Sequence, residues 1–586
     1  MIRTLNIPWG FTHPGITYHR DKKVHVYKGK MLPAALQPFA SEDFSFARWV
    51  EDEANKHILP PEKGPVKFTP RKHQTEAAKA IARAYTRNWP GFLEADETGL
   101  GKTLSTLAGI CSIAHAEEYS PTNRAKLLVV CPKGVIPTWV QTLRAYPFAS
   151  AFLRVMVINY QGLNKLVSMP PEASSAKRRK TKNSQQARKG KSLIDWDYII
   201  FDEAQYLKNY PSSTVSLLGE KVAKLDQKYK RGTSPFVVFS TATPGASPLN
   251  LAIMSRILSP IIEPGASVSP SQWGAFLERN GFHVSKGKVD WAWISNPTFG
   301  KSSDSPEDRR KFLEREKIVR RKQQQDAKRI GKAFLSKGAP FIKRSPKDIA
   351  GWPEQQIEPY PLALSPKQLP LYEEAWSTFR AFLRLPSSRK DSKSALVQSL
   401  RYRQKSSLLR VEPTVSLVEE LVSAGHQVYI SCEFVETVDE YRKLLGKLKI
   451  PVAEVTGRTT DTRVEERLRF QTGKAKVILS SVVEGVSFHA GESLPDGSTA
   501  TKTKRFTIIH DIRLNNLNAD QSLGRAHRDG QHSLAYFPYF RGTIDEKVVK
   551  SYTNKRRNMK SMLGAEDSEA SFLESLFEKA ADDQLD

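Results

Sequence analysis

The hydrophobic and polar positions of this 586-residue chain form two series of short apolar runs, which alternate with longer helical patterns. The runs are rich in β-branched residues and have no polar face, which is typical of strands buried on both sides of a parallel sheet. The first series predicts strands at Phe92–Glu94, Lys126–Cys131, Val155–Asn159, Tyr198–Asp202 and Phe236–Ser240. The second predicts strands at Gln427–Ser431, Val452–Val455, Lys476–Ser480 and Phe506–His510. The predicted fold class is therefore α/β, with two doubly wound parallel sheets.

A loop that follows the first predicted strand has the composition of a phosphate-binding site. It reads Ala-Asp-Glu-Thr-Gly-Leu-Gly-Lys-Thr and opens an apolar helix over Leu104–Ala114. Backbone N–H groups of such a loop hold a triphosphate, Lys102 reaches its β and γ groups, and the Thr103 hydroxyl ligates Mg²⁺. Asp96 stands where the general pattern has its first glycine. The nucleotide-binding residues predicted in this loop are Asp96, Thr98, Gly99, Gly101, Lys102 and Thr103.

A second acidic site is predicted where the strand Tyr198–Asp202 ends in Asp202-Glu203-Ala-Gln. A strand that ends in two acids is also typical of an ordinary loop entry or helix cap. Because this pair follows a lysine loop, we assign it to catalysis. Asp202 holds Mg²⁺, commonly through water, and Glu203 orients or deprotonates the attacking water.

A polar stripe is predicted near the C-terminal end of the chain. Gln521, Arg525 and Arg528 have the spacing i, i+4, i+7, which places them on one face of a helix. Such a stripe suits either the recognition of a triphosphate or a solvated basic surface. The lysine loop and the acidic pair favour the triphosphate, with Arg525 and Arg528 stabilising charge on the transferred phosphoryl group.

Taken in order, these motifs resemble those of Swi/Snf-type ATPases of helicase superfamily two, over about Phe68 to Tyr552. The remaining segments of the resemblance are Leu127–Pro132 with Trp139, Ser240–Pro244, and Phe341–Arg344 followed by Leu362–Ser365 and Leu371–Tyr372. No large reader domain is recognisable in the sequence, so a compact prokaryotic or viral motor is expected rather than a nuclear remodeller. The resemblance implies two RecA-like lobes with ATP between them and helical protrusions that help to hold duplex DNA. It also implies that Gln74 contacts adenine, whereas an exposed glutamine at a helix start is the alternative.

The resemblance and the alternation of elements together predict the organisation of the chain. Residues 1–66 form a small accessory region with a hairpin at Gly15–Tyr27, and residues 67–260 form the first lobe. Residues 261–424 supply the protrusions and connector, residues 425–545 the second lobe, and residues 546–586 a brace helix and an acidic tail. The basic loop 171–192 is a DNA-gripping loop, a nuclear import signal or a solvated insert.

Several hydroxyls and one lysine stand at predicted strand ends, where they can contact DNA phosphates without reading bases. Hydroxyls also favour such turns for local reasons, which is the alternative. The residues assigned to DNA contact or coupling are Lys133, Ser240, Thr241, Ser431, Thr456, Ser480 and Ser481. The chain departs from the family at Glu484 and Ser487, which replace glycines, and at Ile512–Asn516, which replaces an aromatic–proline stretch.

The net charge of the chain indicates what kind of partner it binds. Lysine and arginine number 90 against 62 acidic residues, a net charge of +28. Such an excess favours a polyanion, because neutralising phosphates releases their condensed counterions. A membrane partner is not expected, since no apolar run approaches the roughly 20 residues that span a bilayer and no signal peptide opens the chain. Three cysteines without metal-ligand spacing indicate a reducing compartment and no structural zinc.

The predicted function is that of a DNA-dependent ATPase that uses Mg²⁺ and ATP to move along double-stranded DNA in repair, replication or recombination. One alternative is a helicase that separates or anneals strands on forked or single-stranded DNA. Another is a DNA-binding scaffold with a vestigial ATP site, against which the intact Lys102, Asp202, Glu203, Arg525 and Arg528 argue. The expected location is the cytoplasm, on a nucleoid or in an infected host cell, with the nucleus as the alternative. The sequence identifies no protein partners.

Overall fold

A computed structural model shows two parallel sheets of six strands each, which confirms the predicted α/β fold class with two lobes. The structure describes residues 2–5, 16–19, 24–28, 58–64, 67–97, 99–168, 190–242, 244–245, 247–287, 290–294, 306–345, 348–350, 357–384, 392–459, 461–481, 487–492, 494, 498–511, 522–526 and 534–543. The brace helix, the acidic tail and most of the basic loop lie outside these residues.

The N-terminal region contains a small antiparallel sheet. Strands β2 (Ile16–His19) and β3 (Val24–Lys28) form the predicted hairpin, and β1 (Ile2–Leu5) pairs with the other edge of β3. Register runs from Ile16 opposite Tyr27 to His19 opposite Val24.

The first lobe is built on a parallel sheet with the order β13-β4-β10-β9-β5-β6. Its strands are β4 (Gly91–Glu94), β5 (Ala125–Cys131), β6 (Leu153–Asn159), β9 (Tyr198–Asp202), β10 (Phe236–Ser240) and β13 (Phe341–Ile342). The central strands are buried on both sides, and one apolar core lies on each face. This burial explains why their sequences are nearly continuous apolar runs.

Helices cover both faces of this sheet. The α-helices of the first lobe are α1 (Lys72–Thr86), α2 (Lys102–Ala116), α3 (Ile136–Ala145), α4 (Pro147–Phe152), α5 (Thr214–Val222), α6 (Ser255–Ile262) and α7 (Trp273–Arg279). Two further strand pairs are short hairpin-like additions, β7 (Val167–Ser168) with β8 (Lys191–Ser192) and β11 (Val284–Lys286) with β12 (Trp291–Trp293). Helix α2 packs closely on α1 and begins directly after the phosphate loop.

The second lobe is built on a parallel sheet with the order β14-β19-β18-β15-β17-β16. Its strands are β14 (Ile357–Leu362), β15 (Gln427–Ser431), β16 (Val452–Val455), β17 (Val477–Ser480), β18 (Arg505–Ile509) and β19 (Ala535–Phe540). Helices α11 (Val435–Lys447) and α12 (Arg463–Gln471) flank this sheet.

The segment predicted as protrusions and connector contains three long helices and a strand of each sheet. These helices are α8 (Pro306–Phe334), α9 (Gln368–Arg384) and α10 (Ser392–Ser423). The strands β13 and β14 were not predicted. They extend the two lobes into residues that the sequence assigned to the connector.

No described helix is long and apolar enough to cross a bilayer. All three cysteines are buried and free. Burial raises the pKa of the Cys111 thiol well above its ordinary value, and burial followed by the charge of Asp202 does the same for Cys131.

Candidate ATP-binding site

The phosphate loop has the backbone that its glycines permit. Gly99 and Gly101 adopt φ angles of +100° and +80°, in the left-handed region where glycine pays no side-chain penalty. A Cβ at Gly101 would also lie 2.2 Å from Gln74 Nε2. The Lys102 amine donates to the carbonyl oxygens of Asp96 at 2.8 Å and Glu97 at 3.3 Å, so it lies across the loop. Predicted loop residue Thr98 lies outside the described residues.

Asp96 is held by an arginine that follows β13. Arg344 Nε donates to both carboxylate oxygens of Asp96 at 3.2 Å, and Nη2 makes a further bond to Oδ2. Arg344 also donates through Nη1 to the backbone oxygen of His73. The Asp96 carboxylate thus contacts Arg344 while its carbonyl contacts Lys102, which gives Asp96 a positioning role in the loop. The sequence placed Arg344 in a family segment but gave it no role.

Gln74 contacts the same loop from helix α1. Its Nε2 donates to the carbonyl oxygen of Gly101 at 3.2 Å, and its Oε1 accepts from the backbone N–H of Arg71 at 2.9 Å. The side chain is buried, which excludes the alternative of an exposed glutamine at a helix start. Contact with adenine stays a prediction.

The acidic pair lies at the end of β9, close to the phosphate loop. Asp202 is buried, and its Oδ2 accepts from Trp139 Nε1 at 2.7 Å, while Oδ1 accepts from Ser240 Oγ at 3.2 Å. The hydroxyl of Tyr160 donates to the Asp202 carbonyl at 2.8 Å. Burial, followed by the nearby charge of Glu203, raises the pKa of Asp202 to about 6.

Glu203 has a strained backbone and a side chain tied to β10. Its φ of 55° places a non-glycine residue in the left-handed region, which costs on the order of 1–3 kcal/mol and is typical of functional sites. The Glu203 carboxylate accepts from Gln205 Nε2 at 2.9 Å, and Gln205 Oε1 accepts from Thr241 Oγ1 at 2.6 Å. Two consecutive residues, Ser240 and Thr241, therefore contact the two acids, one directly and one through Gln205.

A Mg²⁺ ion fits this site with only one or two ligands from the protein. The described residues contain no group of three or more His, Cys, Asp or Glu side chains that could hold a metal. A Mg²⁺ ion bound with a triphosphate takes most of its oxygens from phosphate and water, and only one or two from protein. The Asp202 carboxylate and the Thr103 hydroxyl, in the first turn of α2, supply oxygens of that kind.

The second lobe supplies one described residue of the predicted stripe. Arg525 is buried, and its carbonyl accepts from Phe488 N at 2.8 Å. The preceding Ser522 accepts from the Ser431 hydroxyl at 3.1 Å, so this segment packs against the end of β15. Gln521 and Arg528 lie outside the described residues, and their roles stay predictions.

Apart from Ser240 and Thr241, whose hydroxyls donate to Asp202 and Gln205, the residues predicted to contact DNA fall into two groups. Lys133 is exposed and Ser481 is half-buried. By contrast, the buried hydroxyls of Thr456 and Ser480 donate to Glu454 Oε1 at 2.6 Å and to the Val455 carbonyl at 3.0 Å. Together with Ser431, these two have the local partners that the alternative interpretation describes, and their contact with DNA stays a prediction. Ser487, which stands where the family has a glycine, also has a local partner, since its hydroxyl lies 2.7 Å from His489 Nδ1.

A buried ion pair that the sequence did not reveal joins β18 to helix α10. Arg410 Nη2 lies 2.9 Å from Asp511 Oδ1 and 3.1 Å from the His510 carbonyl. The other carboxylate oxygen of Asp511 accepts from the backbone N–H of Glu433 at 2.8 Å. His510 Nδ1 lies 2.7 Å from the Tyr441 hydroxyl. This network fixes the strand end that precedes the arginine segment.

Trp139→Phe is expected to shift the acid limb of the pH profile of ATP hydrolysis upward by about one pH unit. Losing a hydrogen bond to a buried carboxylate costs about 1–3 kcal/mol, and 1.4 kcal/mol corresponds to one pKa unit. The predicted role of Asp202 as a metal ligand requires its ionised form, so kcat/KM should rise as pH increases through about 6 in the parent chain and at higher pH in the variant. The measurement is kcat/KM between pH 5 and 8.

Trp196→Phe is the matched control for this experiment. Trp196 is buried in the same lobe, and its Nε1 has no hydrogen-bond partner among the described residues. This control should leave the acid limb in place. Equal shifts in the two variants would contradict a specific role of the Trp139 indole.

Comparisons with known proteins agree with this site. Residues 73–231 match the SNF2-related domain, and residues 413–530 match the helicase conserved C-terminal domain. The chain is 27% identical over 168 residues to the Probable ATP-dependent DNA helicase CHR23 of Arabidopsis thaliana, which covers 25% of this chain and 14% of the relative. It is 26% identical over 229 residues to the TATA-binding protein-associated factor mot1 of Aspergillus fumigatus, which covers 33% of this chain and 12% of the relative.

A solved structure, described as the Sulfolobus solfataricus SWI2/SNF2 ATPase core in complex with dsDNA, aligns with 87% of this chain and 99% of its own, with 16% identity and a TM-score of 0.30. The chain covers less than a fifth of the length of each of the two curated relatives. The two matched domains, in this order and with these relatives, support a Swi/Snf-type ATPase of helicase superfamily two.

Proposed function

We propose that this chain is an ATP-driven motor that moves along double-stranded DNA. The observation that carries the catalytic part is the register of three neighbouring strands. Glu94 at the end of β4 lies opposite Ser240 at the end of β10, which lies opposite Asp202 at the end of β9. The phosphate loop and the acidic pair therefore leave the same edge of one sheet, where parallel α/β folds bind ligands.

The residues at this edge of the sheet have separate roles in phosphoryl transfer. When bound, Mg²⁺ supplies positive charge that neutralises the β and γ groups. Lys102 exchanges its contacts with the loop carbonyls for phosphate oxygens, and Asp202 offers the metal a carboxylate. Glu203 orients the attacking water or accepts its proton. From the second lobe, Arg525 and Arg528 stabilise the charge that develops on the γ group.

Support for DNA as the partner comes from charge and from helix α8. Seven basic residues of the described part of this helix are exposed, against one exposed acid, Glu314. The basic residues are Arg315, Lys317, Arg320, Arg321, Lys328, Arg329 and Lys332. Four of them, Lys317, Arg321, Lys328 and Lys332, recur at a spacing that forms one stripe along the helix. A basic stripe of this kind contacts the phosphate backbone and gives affinity without sequence preference.

Blunt duplex DNA is expected to stimulate Mg²⁺-dependent ATP hydrolysis strongly, with weaker effects from single-stranded DNA and RNA. The measurement compares these three nucleic acids with none, and Lys102→Ala serves as the blank. Arg321→Ala should weaken duplex binding and reduce the slope of log affinity against log salt by about one. The control Arg315→Ala removes the same charge from the same helix, about 130° away from the stripe at 100° per residue.

The outcomes separate the candidate functions. Stimulation only by single-stranded or forked DNA would replace the translocase with a strand-separating or annealing helicase. Hydrolysis no faster than in Lys102→Ala under every condition would leave a DNA-binding scaffold. Equal loss of duplex binding in Arg321→Ala and Arg315→Ala would remove the stripe from the proposal while leaving the ATPase intact.

A further inference from the structure

A buried carboxylic acid lies beneath the phosphate loop, and no step of the proposed catalysis uses it. Glu94 is the last residue of β4 and has no exposed surface. Side chains alternate along a strand, so Glu94 faces the same side of the sheet as Phe92. That side is the apolar core covered by α1 and α2. A glutamate at this position interrupts an otherwise apolar run.

The hydrogen bonds of Glu94 leave half of its carboxyl unpaired. Oε1 accepts from the hydroxyl of Ser105, one turn into helix α2. Oε2 is buried, and no described residue places a hydrogen-bond donor against it. An ionised carboxylate with an unpaired buried oxygen is costly, whereas a neutral carboxyl needs fewer donors. The geometry by itself therefore favours the protonated acid.

Charges around Glu94 act in both directions: Asp96 raises its pKa, whereas Lys102 and Arg344 lower it, and both cations already have other partners. Arg344 binds Asp96, and the Lys102 amine lies against two loop carbonyls. Of the other groups around it, Asp96 is a second acid, while Ser240 on the neighbouring strand and Ser105 carry no charge. On the α1 side, His73 Nε2 lies 3.0 Å from the Leu100 carbonyl. Burial, followed by the charge of Asp96, raises the pKa of Glu94 to about 8.

A triphosphate adds several negative charges to the other side of this loop. An ionised Glu94 would repel them and would compete with them for the positive charge of Lys102. A neutral Glu94 does neither, and it keeps its hydrogen bond to the first turns of α2, whose N-terminus faces the phosphates. Protonation of Glu94 and binding of the nucleotide to the phosphate loop are thus expected to be cooperative.

We propose that Glu94 is a positioning residue that must carry a proton for the phosphate loop to bind a nucleoside triphosphate, so that nucleotide binding takes up a proton above neutral pH. The proton comes from solvent and is held on the carboxyl group, and no covalent bond of the nucleotide changes. The inference rests on the proposed function only in requiring that this loop binds ATP.

The test is calorimetric titration of the chain with Mg²⁺ and a non-hydrolysable ATP analogue, without DNA. Each titration is made at pH 6.5 and pH 8.5, in two buffers with different ionisation enthalpies, which gives the number of protons taken up. The parent chain should take up almost none at pH 6.5 and a large fraction of one proton at pH 8.5. Its affinity should fall about tenfold per pH unit well above the pKa of Glu94. Glu94→Gln should show neither effect.

Glu76→Gln is the matched control, because it makes the same chemical change at an exposed acid that lies 3.5 Å from Arg344. This variant should keep the proton uptake of the parent chain. A purely structural role of Glu94 would change the affinity of Glu94→Gln equally at both pH values, which would overturn the inference. If Glu94→Gln fails to fold, the parent chain still decides, since equal proton uptake at pH 6.5 and 8.5 overturns it too.

The experiment also distinguishes this inference from the proposed function. Nucleotide binding with the same proton uptake in the parent chain and in Glu94→Gln would overturn the inference alone. No binding of the analogue at either pH would overturn the ATP site, and with it both proposals.

Discussion

Glu203→Gln is expected to lower kcat for ATP hydrolysis by about 10²–10⁴-fold, the usual contribution of a positioned general base. The amide keeps the size of the side chain, and its oxygen still accepts the hydrogen bond that Gln205 Nε2 donates at 2.9 Å. It has no charge with which to orient or deprotonate water. Affinity for Mg²⁺-ATP should stay within a few-fold, because the phosphate loop is unchanged. Single-turnover hydrolysis and nucleotide titration measure the two quantities separately.

Asp226→Asn provides the control for this variant. Asp226 lies on the same lobe, pairs with Lys221 at 2.6 Å and is exposed to solvent, whereas Asp202 is buried and Glu203 half-buried. Its substitution should leave turnover unchanged. Turnover of Glu203→Gln within a few-fold of the parent chain would show that another group activates the water.

Arg410→Met is expected to lower the free energy of unfolding of the second lobe by about 3–5 kcal/mol. The variant leaves the Asp511 carboxylate buried without the cation that lies 2.9 Å away, and breaking a buried pair on one side has this cost. The His510 carbonyl also loses a donor. Denaturant unfolding, followed by a probe placed in the second lobe, measures the difference.

An ion pair of the same lobe whose cation is exposed offers the comparison. Arg442 lies 3.1 Å from Glu454, and more than half of the Arg442 side chain is exposed. The buried Glu454 carboxylate keeps a second partner, Arg458 at 3.3 Å, when Arg442 is replaced. Arg442→Met should therefore cost no more than about 1 kcal/mol. The double variant Arg410→Met with Asp511→Leu should recover part of the loss, since it removes the stranded charge. Equal costs in Arg410→Met and Arg442→Met would contradict the burial argument.

The strands that could be predicted are those whose residues are buried on both sides. Such strands as Tyr198–Asp202 and Phe236–Ser240 are apolar throughout, so their bounds agree with the structure. Strand β14 could not be recognised, because it contains Pro359 and Pro361 and lies at an edge, where missing donors are tolerated. Strand β19 contains Pro538, but it pairs with β18 only through Ala535 and Tyr536. Pro538 therefore lies outside the part of β19 that pairs with β18.

The site residues that could be predicted belong to short contiguous motifs. Lys102 ends the loop after β4, Asp202 is the last residue of β9 and Glu203 follows it directly, and their residue types alone indicate their predicted chemistry. Trp139 and Arg344 act on Asp202 and Asp96 across 63 and 248 residues of chain, and only the folded sheet brings them together. Glu94 did leave a signal in the sequence, since it is a charged residue inside a buried strand.

The hydrogen bonds at the end of β10 also predict how substitutions there would reduce ATP hydrolysis. Ser240 and Thr241 are consecutive, and they contact Asp202 directly and Glu203 through Gln205. A shift of this short piece of backbone changes both sets of hydrogen bonds in one step. We expect such a shift to displace the two acids together. Substitutions that loosen the strand end should therefore reduce the fraction of molecules that hydrolyse ATP, while each competent molecule keeps its normal rate.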